Sequence, residues 1–75
     1  MLTRRQLELY NFIRDYKSKE GVAPSLREME AHLGLNSLSG VHRLLMGLEE
    51  RGAIKRMKDR ARAIRILDES AWRDA

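Results

Sequence analysis

Punctuation constrains this chain more than anything else in it. Gly21, Gly34 and Gly52 each fall just past a helical pattern, and two of those patterns open on a capping box. Thr3 with Gln6 makes the first box, and Leu2 and Leu7 are spaced as a hydrophobic staple across it. Leu9, Phe12, Ile13 and Tyr16 then recur at helical spacing, which predicts a first helix over about 4–20, stopped by Gly21. Val22-Ala23-Pro24 reads as a short extended connection, because a residue before proline is pushed out of the helical region. Ser25 with Glu28 makes the second box, and Leu26, Met29 and Leu33 share one face of a helix over about 26–33, ended by Gly34.

Leu35-Asn36-Ser37 forms a tight turn, with Ser37 as the cap of a third helix over about 38–51. Val41, Leu44, Leu45 and Leu48 stand at i, i+3, i+4 and i+7, a stripe for burial. Ser39, His42, Arg43, Met46, Glu49 and Glu50 project from the other side, and Gly52 closes the helix. Helices this short are marginal alone in water, so the three must bury their apolar stripes against one another.

Past Gly52 the period changes from about 3.6 to about 2. Ile54-Lys55-Arg56-Met57 and Ile64-Arg65-Ile66-Leu67 each mix apolar and basic residues, which predicts strands over about 53–57 and 63–67. Lys58 to Ala63 is the polar tip of the resulting hairpin, although it lacks an Asn-Gly or Asp-Gly turn signal. Two helices joined by a short turn, backed by a third and followed by a hairpin, make a mainly α, winged helix-turn-helix fold. The domain spans residues 1–67, and 68–75 is a short acidic tail carrying Trp72. That tryptophan either packs back on the domain or anchors a partner protein.

Composition narrows the function. The absence of cysteine excludes disulfides, zinc fingers and thiol catalysis. His32 and His42 alone make no metal site, and no cofactor is expected. No Ser/His/acid spacing and no glycine-rich phosphate loop is present, so an enzyme acting on a small-molecule substrate is not expected. Met29, Met46 and Met57 fit as gap-fillers, with Met46 also standing on the outward side of the third helix. Aromatic residues are only 5%, too few for a base-stacking platform. The longest apolar run, Leu44 to Leu48, is far too short for a bilayer, and the N-terminus has no apolar segment after Arg4-Arg5. The expectation is a soluble, cytoplasmic protein without a membrane partner.

Charge supplies the positive signal. Residues 1–50 are neutral, residues 51–67 carry a net charge of +6, and residues 68–75 carry −2. The basic block therefore coincides with the hairpin, as a polyanion contact requires. Duplex DNA suits an exposed helix face better than RNA does, because A-form RNA hides its major groove.

These residues together resemble the N-terminal DNA-binding domain of the LexA family, bacterial repressors of DNA-damage genes. The similarity runs from Leu2 to about Leu67 and rests on Leu2-Thr3-Arg4-Arg5-Gln6, Gly21-Val22-Ala23-Pro24-Ser25, Ser37-Leu38-Ser39-Gly40-Val41-His42-Arg43-Leu44, Leu48-Glu49-Glu50-Arg51-Gly52 and Asp59-Arg60-Ala61-Arg62-Ala63-Ile64. The Ser-Gly-Val-His-Arg and Arg-Ala-Arg-Ala-Ile runs look like a bacterial branch whose operators carry directly repeated GTTC-type half-sites. The resemblance implies that Ser37, Ser39, Gly40, His42 and Arg43 read bases, with Gly40 acting through close approach or contact with a thymine methyl. It implies backbone or wing contacts from Arg4, Arg5, Ser25, Lys55, Arg56, Lys58, Arg60 and Arg62. Location at the bacterial nucleoid follows when the protein is on DNA. The family's second domain, with its Ser–Lys self-cleavage dyad and cleavable Ala-Gly bond, has no counterpart in these residues, so neither self-cleavage nor that domain's dimerisation is carried over.

A single winged helix covers one half-site, so self-association on DNA or a protein partner is the expected route to useful affinity. The alternative on the same fold is a protein-interaction adaptor or antagonist that acts through the first helix and Trp72. The basic wing separates the two, being essential to a DNA reader and dispensable to an adaptor.

Overall fold

The computed structural model describes residues 2–57 and 64–67. Helix α1 (Arg4–Glu20) opens as its capping box dictates. The Thr3 hydroxyl oxygen accepts the Gln6 backbone N–H at 3.2 Å, and Gln6 Oε1 accepts the Thr3 N–H at 2.9 Å. Helix α2 (Leu26–Leu33) repeats the device with Ser25 and Glu28, at 3.1 and 2.7 Å. Helix α3 (Leu38–Glu50) starts on Ser37, whose Oγ accepts the Gly40 N–H at 3.4 Å. It ends one residue short of the expected boundary, with Arg51 as its cap.

The turns that follow α2 and α3 share one solution. Gly34 takes φ +67°, its N–H donating to Ala31 O and the Leu35 N–H to Glu30 O. Gly52 takes φ +78°, with bonds from its own N–H to Glu49 O and from Ala53 N–H to Leu48 O. Both are Schellman closures, which need the left-handed backbone that glycine adopts without strain.

Strands β1 (Ile54–Arg56) and β2 (Ile64–Ile66) pair antiparallel, with Ile54 opposite Ile66, Lys55 opposite Arg65 and Arg56 opposite Ile64. β1 is shorter than expected at both ends and β2 stops one residue early, although Leu67 N–H still donates to Ala53 O at 2.9 Å. The pairing alternates as a half-buried ribbon should. Ile54 and Ile64 face inward, while Lys55 and Arg65 face solvent. The tip, Lys58 to Ala63, and the tail with Trp72 lie outside the described residues.

One core joins all five elements: Leu2, Leu9, Tyr10 and Ile13 around α1, Met29 and Leu33 from α2, Val41, Leu45 and Leu48 from α3, Ala53, Ile54 and Ile64 from the hairpin, and Ala23 from the connection. Two expectations need correction. Tyr10, not Phe12 or Tyr16, shares the buried face of α1 with Leu9 and Ile13. Phe12 lies on the flank, stacked at 4.0 Å on His32 and edge-on to Tyr16, whose hydroxyl donates to Glu28 at 2.7 Å. Leu44 is half-buried at the edge of its stripe, and Glu49 is bonded to Arg56 of β1 instead of projecting freely. Among the described residues, no helix is long and apolar enough to cross a membrane.

Candidate nucleic-acid interface

Burial of Val41, Leu45 and Leu48 fixes the rotation of α3 and so decides what the opposite arc displays. That arc carries Ser39, His42, Arg43, Met46 and Glu50, all exposed. Arg43 makes no hydrogen bond or ion pair among the described residues, and its guanidinium is available to a ligand. Ser39 and His42 flank it one turn back and one residue back on the same arc. Ser37 is exposed as well, but its oxygen accepts the Gly40 N–H, which leaves the hydroxyl proton for another acceptor.

Gly40 stands apart from these. A Cβ built there would lie 3.3 Å from Leu35 Cδ1, so its missing side chain faces the turn after α2 and not the open arc. Its contribution is the close packing of α3 on that turn.

The expected backbone contacts divide in two. Arg4 and Lys55 are exposed and face solvent. Ser25 is half-buried, its oxygen capping α2 and its hydroxyl proton remaining to donate. Arg5 and Arg56 are engaged internally. Arg5 Nη1 donates to Leu33 O at 2.9 Å and lies 3.5 Å from Glu8, tying α1 to the end of α2. Arg56 donates its backbone N–H to Glu49 Oε2 at 3.2 Å and its Nε–H to Oε1 at 3.3 Å, tying β1 to the last turn of α3. Lys58, Arg60 and Arg62 lie outside the described residues.

Three residues that bear on this surface were not among the expected individual contacts, although Arg51 and Arg65 belong to the basic block of residues 51–67. Arg65 stands directly opposite Lys55, so the outer face of the hairpin presents two cations side by side. Counting back from the hairpin turn would have found it, because the register pairs positions around that turn. Lys17 on α1 reaches across to donate its Nζ proton to Ile64 O at 2.7 Å, fastening β2 to the helical body. Exposed Arg51 extends the basic surface between α3 and the hairpin. The resulting surface has a helix face with hydrogen-bonding and apolar groups beside a cationic ribbon. A helix of about 10–12 Å diameter enters the major groove of B-form DNA, and adjacent cations then meet phosphates.

A sequence model of the LexA DNA binding domain family matches residues 1–63. The LexA repressor of Cereibacter sphaeroides is 54% identical over 67 residues, covering 89% of this chain and 29% of the relative. The LexA repressor of a Ruegeria species is 52% identical over the same length, covering 89% and 28%. That of Rhodospirillum rubrum is 54% identical, covering 89% and 27%. The chain thus spans less than a third of the length of these curated relatives.

Proposed function

This chain belongs to the LexA DNA-binding domain family, and we propose that it is the sequence-specific, duplex-DNA-reading part of a transcriptional repressor of DNA-damage (SOS) type genes. The observation that carries the reading is the exposed arc of α3, where Arg43 has no internal partner among the described residues and Ser39 and His42 stand beside it. Arg43 binds guanine O6 and N7 through two parallel hydrogen bonds. His42 and Ser39 donate or accept at neighbouring base edges, and Ser37 holds the start of the helix while donating to a phosphate. Gly40 lets α3 sit close to the turn. Arg4 and the Ser25 hydroxyl, at the starts of α1 and α2, meet phosphates where unpaired backbone N–H groups already attract anions.

Lys55, with Arg65 beside it, and the tip residues Lys58, Arg60 and Arg62 track the flanking backbone or minor groove. Arg5 and Arg56 act indirectly, by holding α2 and the hairpin in place. One domain covers one GTTC-type half-site, and two copies on repeated half-sites supply the affinity. The reading involves no catalysis, cofactor or metal, and places the protein on the bacterial nucleoid.

The test is a titration of the chain into duplexes carrying two GTTC half-sites or a scrambled sequence, at three salt concentrations. At least about tenfold preference with steep loss of affinity in salt is expected, because each neutralised phosphate releases counterions. Equal affinity for both duplexes would overturn the GTTC assignment, and no binding at low salt would overturn DNA recognition in favour of a protein-interaction adaptor. Arg43→Ala should lose discrimination at one base pair, by about 1–3 kcal/mol, while leaving the salt dependence intact. An unchanged base preference would show that this arc does not face the bases.

A further inference from the structure

Four members of the exposed arc of α3 share one spacing: Ser39, His42, Arg43 and Met46 stand at i, i+3, i+4 and i+7, and all four are exposed. A helix lying in the major groove can bring four side chains at this spacing to base edges. Three of the four are hydrogen-bonding residues. The fourth is apolar, and at 52% relative exposure Met46 is the most exposed large hydrophobic side chain among the described residues.

Its neighbours along the chain are buried or turned elsewhere. Leu45 and Leu48 point into the core, the α-carbon of Gly47 lies against the Gln6 side chain of α1, and Glu49 is bonded to Arg56. Met46 therefore belongs to the reading arc and not to the rim of the core. The major groove displays one apolar group, the C5-methyl of thymine. A long, unbranched thioether reaches such a group without demanding a single rotamer.

We propose that Met46 is a specificity-determining residue that packs against a thymine C5-methyl one helical turn beyond the base pair read by Arg43. The proposal rests on the DNA-reading function above, and adds a thymine that no hydrogen-bonding residue of the arc specifies.

The test starts from the duplex that the 75-residue chain itself selects from a randomised pool, so it does not depend on the GTTC assignment. Each thymine of that duplex is replaced singly by deoxyuridine, which removes only the methyl. At one thymine per half-site the wild-type chain should lose about fourfold in affinity, the effect of one buried methyl group. In Met46→Ala the same replacement should have no effect, while discrimination at the Arg43 base pair persists. Met46→Leu, which keeps an apolar side chain, should retain most of the sensitivity. Restoring the methyl by replacing a cytosine at that position of a T-to-C variant with 5-methylcytosine should recover wild-type binding in part.

Indifference of the wild-type chain to every deoxyuridine overturns the proposal, as does equal sensitivity in Met46→Ala. Both results leave sequence-specific binding standing. Failure of the DNA-reading function itself looks different, since no duplex would then be enriched from the pool.

Discussion

At Gly47 the backbone of α3 passes so close to α1 that an added Cβ would run into the amide nitrogen of Gln6. The same Gln6 side chain accepts the Thr3 N–H at 2.9 Å and completes the capping box that starts α1. Two opposed effects therefore meet in a Gly47→Ala variant. Alanine in mid-helix is favoured over glycine by about 0.8–1 kcal/mol. Displacing the Gln6 amide loses one capping hydrogen bond, worth about 0.5–1.5 kcal/mol. Gly47→Ala should thus change stability by no more than about 0.7 kcal/mol in either direction, a near-cancellation of those two quantities. In a Gln6→Ala background the obstruction is gone, and the same substitution should stabilise by about 1 kcal/mol. Urea denaturation of the four proteins checks this. Equal effects of Gly47→Ala in both backgrounds would show that Gln6 yields without leaving its cap.

The helices and the hairpin differ in how they are specified. Each helix start is written within three residues, Thr3 to Gln6 and Ser25 to Glu28, and each stop rests on a glycine. Local signals of this kind are legible in a sequence, and the expected helices match the observed ones to within one residue. The exposed arc of α3 was legible for the same reason, since burial of a periodic stripe fixes what lies opposite. The buried role of Tyr10 was not, because a polar-tipped aromatic beside Leu9 fits either side of the stripe until α2 and α3 are docked.

Least legible were the bonds that span the fold. Lys17 to Ile64 covers 47 positions and Arg5 to Leu33 covers 28, so no local pattern announces either. These bonds matter most at the hairpin, because a two-stranded ribbon is barely stable by itself. It is fastened by Lys17 at Ile64 O, by Glu49 at Arg56, and by the apolar contacts of Ile54 and Ile64. Lys17→Met keeps the aliphatic stem and removes the donor. Amide exchange in β1 and β2 should accelerate by a factor corresponding to about 1 kcal/mol, with core amides of α1 and α3 unchanged. Uniform acceleration throughout would instead make Lys17 a support of the whole fold.

Across the whole molecule, positive charge is concentrated at the hairpin, at a cost in stability. A neutral body carries a basic segment, and the register puts Lys55 directly opposite Arg65 on the outer face of the hairpin. Like charges in directly opposed strand positions destabilise a ribbon by about 0.2–1 kcal/mol. Nothing among the described residues compensates that pair, since the acidic Glu49 is held at Arg56 on the inner side. A phosphate of DNA would do so. Lys55→Gln should therefore act in opposite directions on the two properties. The melting temperature of the free chain should rise by a few degrees, about what a few tenths of a kcal/mol produces in a domain of this size. The slope of log affinity against log salt should become shallower by about 0.9, one phosphate's worth of released counterions, and by the same amount on selected and scrambled duplexes. Arg65→Gln should reproduce both changes, and the double variant should gain no further melting temperature, because either substitution alone removes the repulsion. A lower melting temperature in both single variants would mean that these cations have stabilising partners in the folded chain. An unchanged salt slope would remove the outer face of the hairpin from the DNA interface and leave the hairpin's part in it to the tip residues.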